Sequence, residues 1–312
     1  MSLPKRKKLK KDYSYDIVPN ELLTRILKPL SLQQRIGLRA VSTRFQAVLE
    51  DDLKDETSLV IRVEDGKSRK TTQDDVLHLN LWSINLGLIR TLKELMPAIT
   101  ELNINIRSIY ILLHLIGHYD LKKLTLDFEW GTRSREEFIG DMSTLAKIIN
   151  SKQDLTHLSL EGYYCKEDHF NEKHLLMELK ETLSRLESFT FQNAQFDHHE
   201  EIEDLLTTSL STRCTHLALT EQNIDLYRAQ CAASLTHLQL EDVDSFVVWE
   251  AFSYCHALQN LRINMQSLFS NPPNVLIAPL SSCSTITNPF SHSFSGSMIW
   301  LWTTTTSDCY PS

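Results

Sequence analysis

The sequence predicts an α/β chain in which three short helices precede an irregular solenoid, with a parallel concave sheet on one side and outer helices on the other. Three observations predict it. A unit of the form apolar-x-x-apolar-x-apolar recurs eight times, beginning at Val76, Ile99, Leu121, Leu155, Leu186, Cys214, Leu235 and Leu258. Helix-spaced apolar stripes lie between the units. A compact apolar segment comes before all of them, in a stretch too short to bury its own large side chains.

Composition bounds what such a chain does. Hydrophobic residues make up 42% and charged residues 23% of 312, the balance of an ordinary globular protein. No apolar run approaches the length of a membrane span. The basic N-terminus is not followed by the apolar stretch of a secretory signal, so an intracellular protein is expected. Net charge is −8, yet the first eleven residues carry six positive charges and no negative ones, which leaves the rest at −14. An acidic body is a poor match for phosphate backbones, so neither a nucleic acid nor a membrane is expected as partner. The six cysteines are scattered without a C-x-x-C pair. Neither a metal site nor a disulfide framework is expected from them.

Residues 1–14 form the first zone. Lys5, Arg6, Lys7 and Lys8, with Lys10 and Lys11, are too densely charged to pack, and they read either as a nuclear localisation signal or as a solubilising tail.

Residues 15–53 form the second zone. Pro19 suits a helix's first turn and Glu21 complements its dipole. Leu22, Leu23, Ile26, Leu27 and Leu30 follow at helical spacing, and Pro29 ends the helix. Ser31 with Gln34 predicts a capping box opening a second helix. Val41, Phe45, Val48 and Leu49 predict a third. The apolar surplus should cover either the following domain or a partner. In order and without a gap, Val18-Pro19, Glu21-Leu22-Leu23, Ile26-Leu27, Leu30-Ser31 and Arg39-Ala40-Val41-Ser42-Thr43-Arg44-Phe45 resemble the F-box family. Val18 stands for the usual Leu, and Gln33-Gln34 for common acidic residues. The resemblance implies docking on a Skp-type adaptor through Val18, Pro19, Leu22, Leu23, Ile26, Leu27, Leu30 and Val41.

Residues 57–266 carry the repeats. The last three positions of each unit alternate as a half-buried strand requires. Phe138, Met142, Leu145 and Ile149, then Leu175, Leu176, Leu179 and Leu183, then Ile202, Leu205, Leu206 and Leu210, predict helices between them. No single unit can bury its face, so neighbours must stack. A poorer unit at Ser58 to Val63 is expected to cap the array. The pattern resembles the leucine-rich repeat family in its irregular form, with spacings of 21 to 34 residues and most of the usual Asn positions filled by other residues. Behind an F-box, it implies the substrate-recognition subunit of a cullin-RING ubiquitin ligase. Such a subunit holds a protein substrate and performs no catalysis itself.

The polar strand positions should face away from the core as rungs. Trp82, Lys123, Asp127, His157, Glu161 and Arg262 are the candidate substrate anchors, because aromatic and charged groups dominate interface energetics. His157, His216 and His237 share one rung within three Leu-Thr-His-Leu units. Shared repeat ancestry accounts for them, and a metal or pH-sensitive site is the sharper alternative. No phosphate-cradling glycine loop and no nucleophile motif appear, so neither a cofactor nor a catalytic residue is expected.

Residues 267–312 break the pattern. Asp308 is their only charged residue, and Ser and Thr dominate around the patch Met298–Trp302. The segment reads either as a tail folding over the last repeat or as an aberrant end replacing further repeats. Two functions therefore stand: the ligase adaptor, and a repeat scaffold in which the first helices are only a cap. Exposure of the stripe around Pro19, Leu23, Ile26, Leu27 and Leu30 is the feature that separates them.

Overall fold

The computed structural model describes residues 18–64, 76–80, 86–106, 109–128, 135–162, 172–192, 199–220, 224–241, 250–251, 253–264 and 299–303. Helix α1 (Asn20–Leu27) begins after Pro19, whose carbonyl accepts the N–H of Leu22 and of Leu23, both at 3.1 Å. Pro19 is thus the cap and stands one position before the helix it was expected to open. Helix α2 (Leu32–Leu38) has the predicted capping box: Gln34 N–H donates to Ser31 Oγ at 3.3 Å, and Ser31 N–H donates to Gln34 Oε1 at 3.0 Å. Helix α3 (Thr43–Leu53) is capped by Ser42 and so excludes Val41, which the sequence reading had placed on its stripe.

The three helices share a miniature core of Leu27, Val48 and Leu49, with Leu23, Leu30, Leu38 and Phe45 packed around it. Leu32, Leu53 and Ile36 belong instead to the large core of the sheet domain. The module therefore has its own core and also abuts the first strands. Inside it, Arg35 on α2 pairs with Asp52 on α3 at 3.0 Å, both side chains largely buried. Removing one partner of a buried pair strands the other charge. Asp52→Ala is accordingly expected to cost about 3 kcal/mol, the low end for such a loss because the pair keeps some solvent. Urea denaturation of the full chain checks this, and a loss below about 1 kcal/mol would show that water replaces the carboxylate.

The strands are β1 (Ser58–Glu64), β2 (Val76–Asn80), β3 (Glu101–Ile106), β4 (Lys123–Phe128), β5 (His157–Gly162), β6 (Ser188–Gln192), β7 (His216–Thr220), β8 (His237–Glu241), β9 (Asn260–Asn264) and β10 (Ile299–Thr303). The first nine are parallel, and β10 joins β9 antiparallel. Alternate residues such as Leu124, Leu126, Leu158, Leu160, Phe189 and Phe191 enter one continuous core. Helices α4 (Leu86–Leu95), α5 (Ile109–His118), α6 (Arg135–Ser151), α7 (Glu172–Glu178), α8 (Lys180–Leu183) and α9 (His199–Ser209) contribute the facing layer through Leu92, Ile116, Leu145, Leu176 and Leu206. The three predicted stripes fall on these helices except for Leu179, between α7 and α8, and Leu210, one residue past α9. Leu179 interrupts the second with ψ near 3°, which separates α7 from α8. Among the described residues between β7 and β8 there are turns and the 3-10 segment Ala232–Ser234.

Sheet order departs from chain order at one end. It runs β2-β1-β3-β4 and then sequentially to β10, so the Ser58–Val63 strand is internal and β2 is the edge. Leu59 and Ile61 are both fully buried, which suits a strand paired on two sides. Register also corrects the first repeat unit. Leu77 stands level with Ile61, which stands level with Ile104, the sixth position of the next unit. Leu77 was the second position of the unit as read from Val76, so that unit is slid by four residues.

A backbone ladder links the repeats where the Asn positions are mostly lost. The carbonyl of Thr100 accepts the N–H groups of Lys122 and Lys123; that of Lys122 accepts Thr156 and His157; that of Thr156 accepts Glu187 and Ser188. The same two-to-one pattern continues through Glu187, Thr215 and Thr236 to Gln259 and Asn260. These groups lie at the turn into each strand and are satisfied by backbone N–H groups of the next repeat, with the Thr156, Thr215 and Thr236 hydroxyls donating to the Lys122, Glu187 and Thr215 carbonyls as well.

Candidate docking surfaces

Two surfaces carry the candidate residues. The first is the outer side of the helical module. Leu22 and Ile26, one turn apart on α1, are 47% and 61% exposed, and Val41, in the turn before α3, is 63% exposed. Pro19 is exposed beside them in sequence, and Val18 is half-buried. Arg44 fixes this end: its guanidinium donates to the Val18 carbonyl and to Asn20 Oδ1. The single stripe read from the sequence splits in two, since residues 22, 23, 26, 27 and 30 span more than one helix face. Leu23 and Leu30 are half-buried, and Leu27 is only 2% exposed in the miniature core. Leu27 is therefore a core residue and is withdrawn from the docking set. What remains outward among the described residues is large and aliphatic, an unusual use of apolar side chains on a folded surface.

The second surface is the open face of the sheet. In register, one rung reads Lys123, His157, Ser188, His216, His237, Asn260, and the next reads Thr125, Ser159, Thr190, Ala218, Gln239, Arg262. A third carries Asp127, Glu161, Gln192, then Thr220, Glu241, Asn264. Of the predicted anchors, Lys123 and Arg262 are exposed, while Asp127, His157 and Glu161 are half-buried between neighbouring strands. Asp127 and Glu161 are thus less open than fully solvated side chains. Lys123 Nζ pairs with Glu101 at 2.9 Å, and Ser159 Oγ donates to Glu161 Oε1 at 2.9 Å. Trp82 lies outside the described residues, as do Lys5, Arg6, Lys7 and Lys8.

The three Leu-Thr-His-Leu units build one repeated arrangement. Thr156, Thr215 and Thr236 each bring Oγ1 within 2.8–2.9 Å of Nδ1 of the following histidine. The rings of His216 and His237 stack with centroids 4.1 Å apart and planes 11° apart. Burial lowers the His157 and His216 pKa values below the ordinary imidazole range, and nearby positive groups add to it, Lys123 for His157 and His237 for His216. The sequence showed the shared rung but not the stacking, which needs the strands to be neighbours.

Cys214, Cys231 and Cys255 are buried and unpaired. Burial pushes the Cys214 thiol up to about 12, the Cys255 thiol up to about 11, and raises Cys231 as well. They pack as small apolar groups and hold their protons. Among the described residues, no group of three or more His, Cys, Asp or Glu side chains is placed to hold a metal ion, and no helix is long and apolar enough to cross a membrane.

What the fold defines is an α/β protein with nine parallel strands in a solenoid-like array, a helical module at one end and two outward surfaces. Compared with known protein families and with curated proteins, the chain matches none.

Proposed function

We propose that this chain is the substrate-recognition adaptor of an SCF-type ubiquitin ligase. In this reading residues 18–53 are an F-box docking on a Skp-type adaptor, and the strands from β3 onward are leucine-rich repeats holding a protein substrate. The observation that carries it is the outward display of Leu22, Ile26 and Val41 by a module that already has a core of its own. A pure cap would turn its large aliphatic side chains toward the array. Burying one such side chain against a partner is worth roughly 1.5–3 kcal/mol, so three suffice to anchor an interface. Chemistry belongs to the assembled ligase, which supplies proximity between the bound protein and the conjugating enzyme. The basic residues Lys5 to Lys8 fit nuclear import, and the protein would then act in nucleus and cytoplasm.

A second reading keeps a specific support. Leu32, Leu53 and Ile36 join the large core, so the module does cap the array as well. A repeat scaffold unconnected to ubiquitination would need no more than that. Affinity capture of the full chain and of a chain lacking residues 18–53 separates the two. Recovery of a Skp-type adaptor and cullin with the full chain alone supports the ligase reading, and recovery of other proteins equally by both chains supports the scaffold.

The open sheet face is the proposed substrate surface, because a stiff array fixes its side chains and lowers the ordering cost of binding. Double reversal of Asp127 and Glu161 to Lys is expected to weaken a captured partner at least tenfold. The melting temperature should move by no more than about 4 °C, the equivalent of about 1 kcal/mol in a domain of this size. Undiminished capture by this variant, with loss on changing the helical side, would move the working surface to the helices.

A further inference from the structure

We propose that the stacked pair His216–His237, latched by Asn260, is a proton-operated lock on the last strands of the open sheet face. His216, His237 and Asn260 stand level on β7, β8 and β9. The hydrogen bonds around His237 form a chain that fits a neutral ring. The Thr236 hydroxyl has one proton, which it gives to the Thr215 carbonyl at 3.0 Å. It therefore accepts from His237 Nδ1–H, at 2.9 Å. The neutral ring then presents a lone pair at Nε2, and Asn260 Nδ2 donates to it at 2.6 Å. The chain Asn260 to His237 to Thr236 to Thr215 is complete only while His237 is neutral. Thr215 treats His216 the same way, with its hydroxyl 3.3 Å from the Glu187 carbonyl and 2.8 Å from Nδ1.

A proton arriving at His237 Nε2 meets an amide N–H, and Asn260 must turn its side chain end for end to accept it. A second proton, on His216, puts two cations in rings 4.1 Å apart. The surroundings do not offset this. From β5 comes His157, from the strand entry before β6 Glu187, from the turn before β7 Arg213, and from β8 and β9 Glu241 and Arg262; His256 lies ahead of β9. Of these, the groups acting on His216 are His237 and His157, both opposing its charge, while Glu187 acts on His157. Folding thus excludes protons that the unfolded chain takes up below about pH 6.5. The stability conferred by the neutral stack is whole above that pH and is lost as pH falls through the lower folded values. The lock loosens β7 to β9 and leaves β3 and β4, which carry no histidine, unaffected.

Hydrogen exchange of the full chain at pH 7.5 and 5.5, corrected for the intrinsic pH dependence, tests the lock. Segments 237–241 and 260–264 should exchange at least about twofold faster at the lower pH relative to 101–106 and 123–128, a local opening that spares the distant strands. In the double variant His216→Asn, His237→Asn the acceleration should vanish. Asn already occupies this rung on β9, so the substitution extends an existing row. Imidazole NMR titration of the unaltered chain provides the second measurement, with His216 expected to titrate below the ordinary imidazole value. Equal acceleration in the variant, no acceleration in the unaltered chain, or titration of His216 at the ordinary imidazole value would overturn the lock.

Discussion

A chain carrying Ile26→Asp and Val41→Asp is expected to lose a Skp-type adaptor almost completely while folding as before. Both side chains are more than half exposed, so the substitutions replace apolar surface already in water and cost the free protein little. On an apolar partner the same positions would bury two carboxylates without counter-charges, which costs several kcal/mol beyond the lost contacts. A loss of 4 kcal/mol is close to a thousandfold in affinity. Purified variant and unaltered chain, compared by calorimetric titration with a Skp-type adaptor and by thermal melting, give the result. An unchanged affinity with an unchanged melting curve would remove the F-box reading and leave the capping role. Leu27→Asp makes a poor substitute for this test, because Leu27 sits in the miniature core and its loss would unfold the module.

Phe189→Ala is expected to destabilise the whole array by an amount in the upper part of the range of about 3–5 kcal/mol for truncating a buried phenylalanine. Among the described residues Phe189 is the largest fully buried side chain, and it stacks against Phe191 with ring centroids 6.0 Å apart. It lies on β6, between β5 and β7, so the void opens in the middle of a core without a gap. In a repeat array each unit is held by its neighbours, and a weak central unit divides the array into two shorter blocks. Denaturant unfolding followed by circular dichroism should show a lower midpoint and a broader transition. A loss under about 1.5 kcal/mol would mean that neighbouring helices collapse into the space.

Much of the architecture was legible because it rests on periodicity. Leu124 and Leu126, or Leu158 and Leu160, alternate with polar residues, and a parallel strand buried on one face can be read from that alternation. The capping box at Ser31 and Gln34 was legible for a similar reason, since both of its hydrogen bonds are local. The helix stripes of α6 and α9 fell where their leucines and isoleucines indicated.

Other features depended on contacts between distant residues. Spacing alone assigned Val76 to a repeat start, yet the partner strand placed Leu77 four positions later in the pattern. It also could not show that β1 lies between β2 and β3, because pairing partners are a global choice. Over residues 22–30, five apolar residues in nine looked like one stripe. Packing against Val48 and Leu49 turned Leu23, Leu27 and Leu30 inward and left Leu22 and Ile26 in solvent.

By itself, then, the sequence determined the class of fold, the three leading helices, the strands β3 to β9 with the residues that share their rungs, and the helical stripes of α6 to α9, for these follow from local periods of two and 3.6 residues. Only the tertiary structure decided which apolar residues remain outside, how the first strands are ordered, and that His216 stacks on His237 with Asn260 closing the chain. Those outcomes are set by which surfaces meet across tens of residues, where the winning arrangement is the one that buries the most apolar area and leaves the fewest backbone groups unpaired.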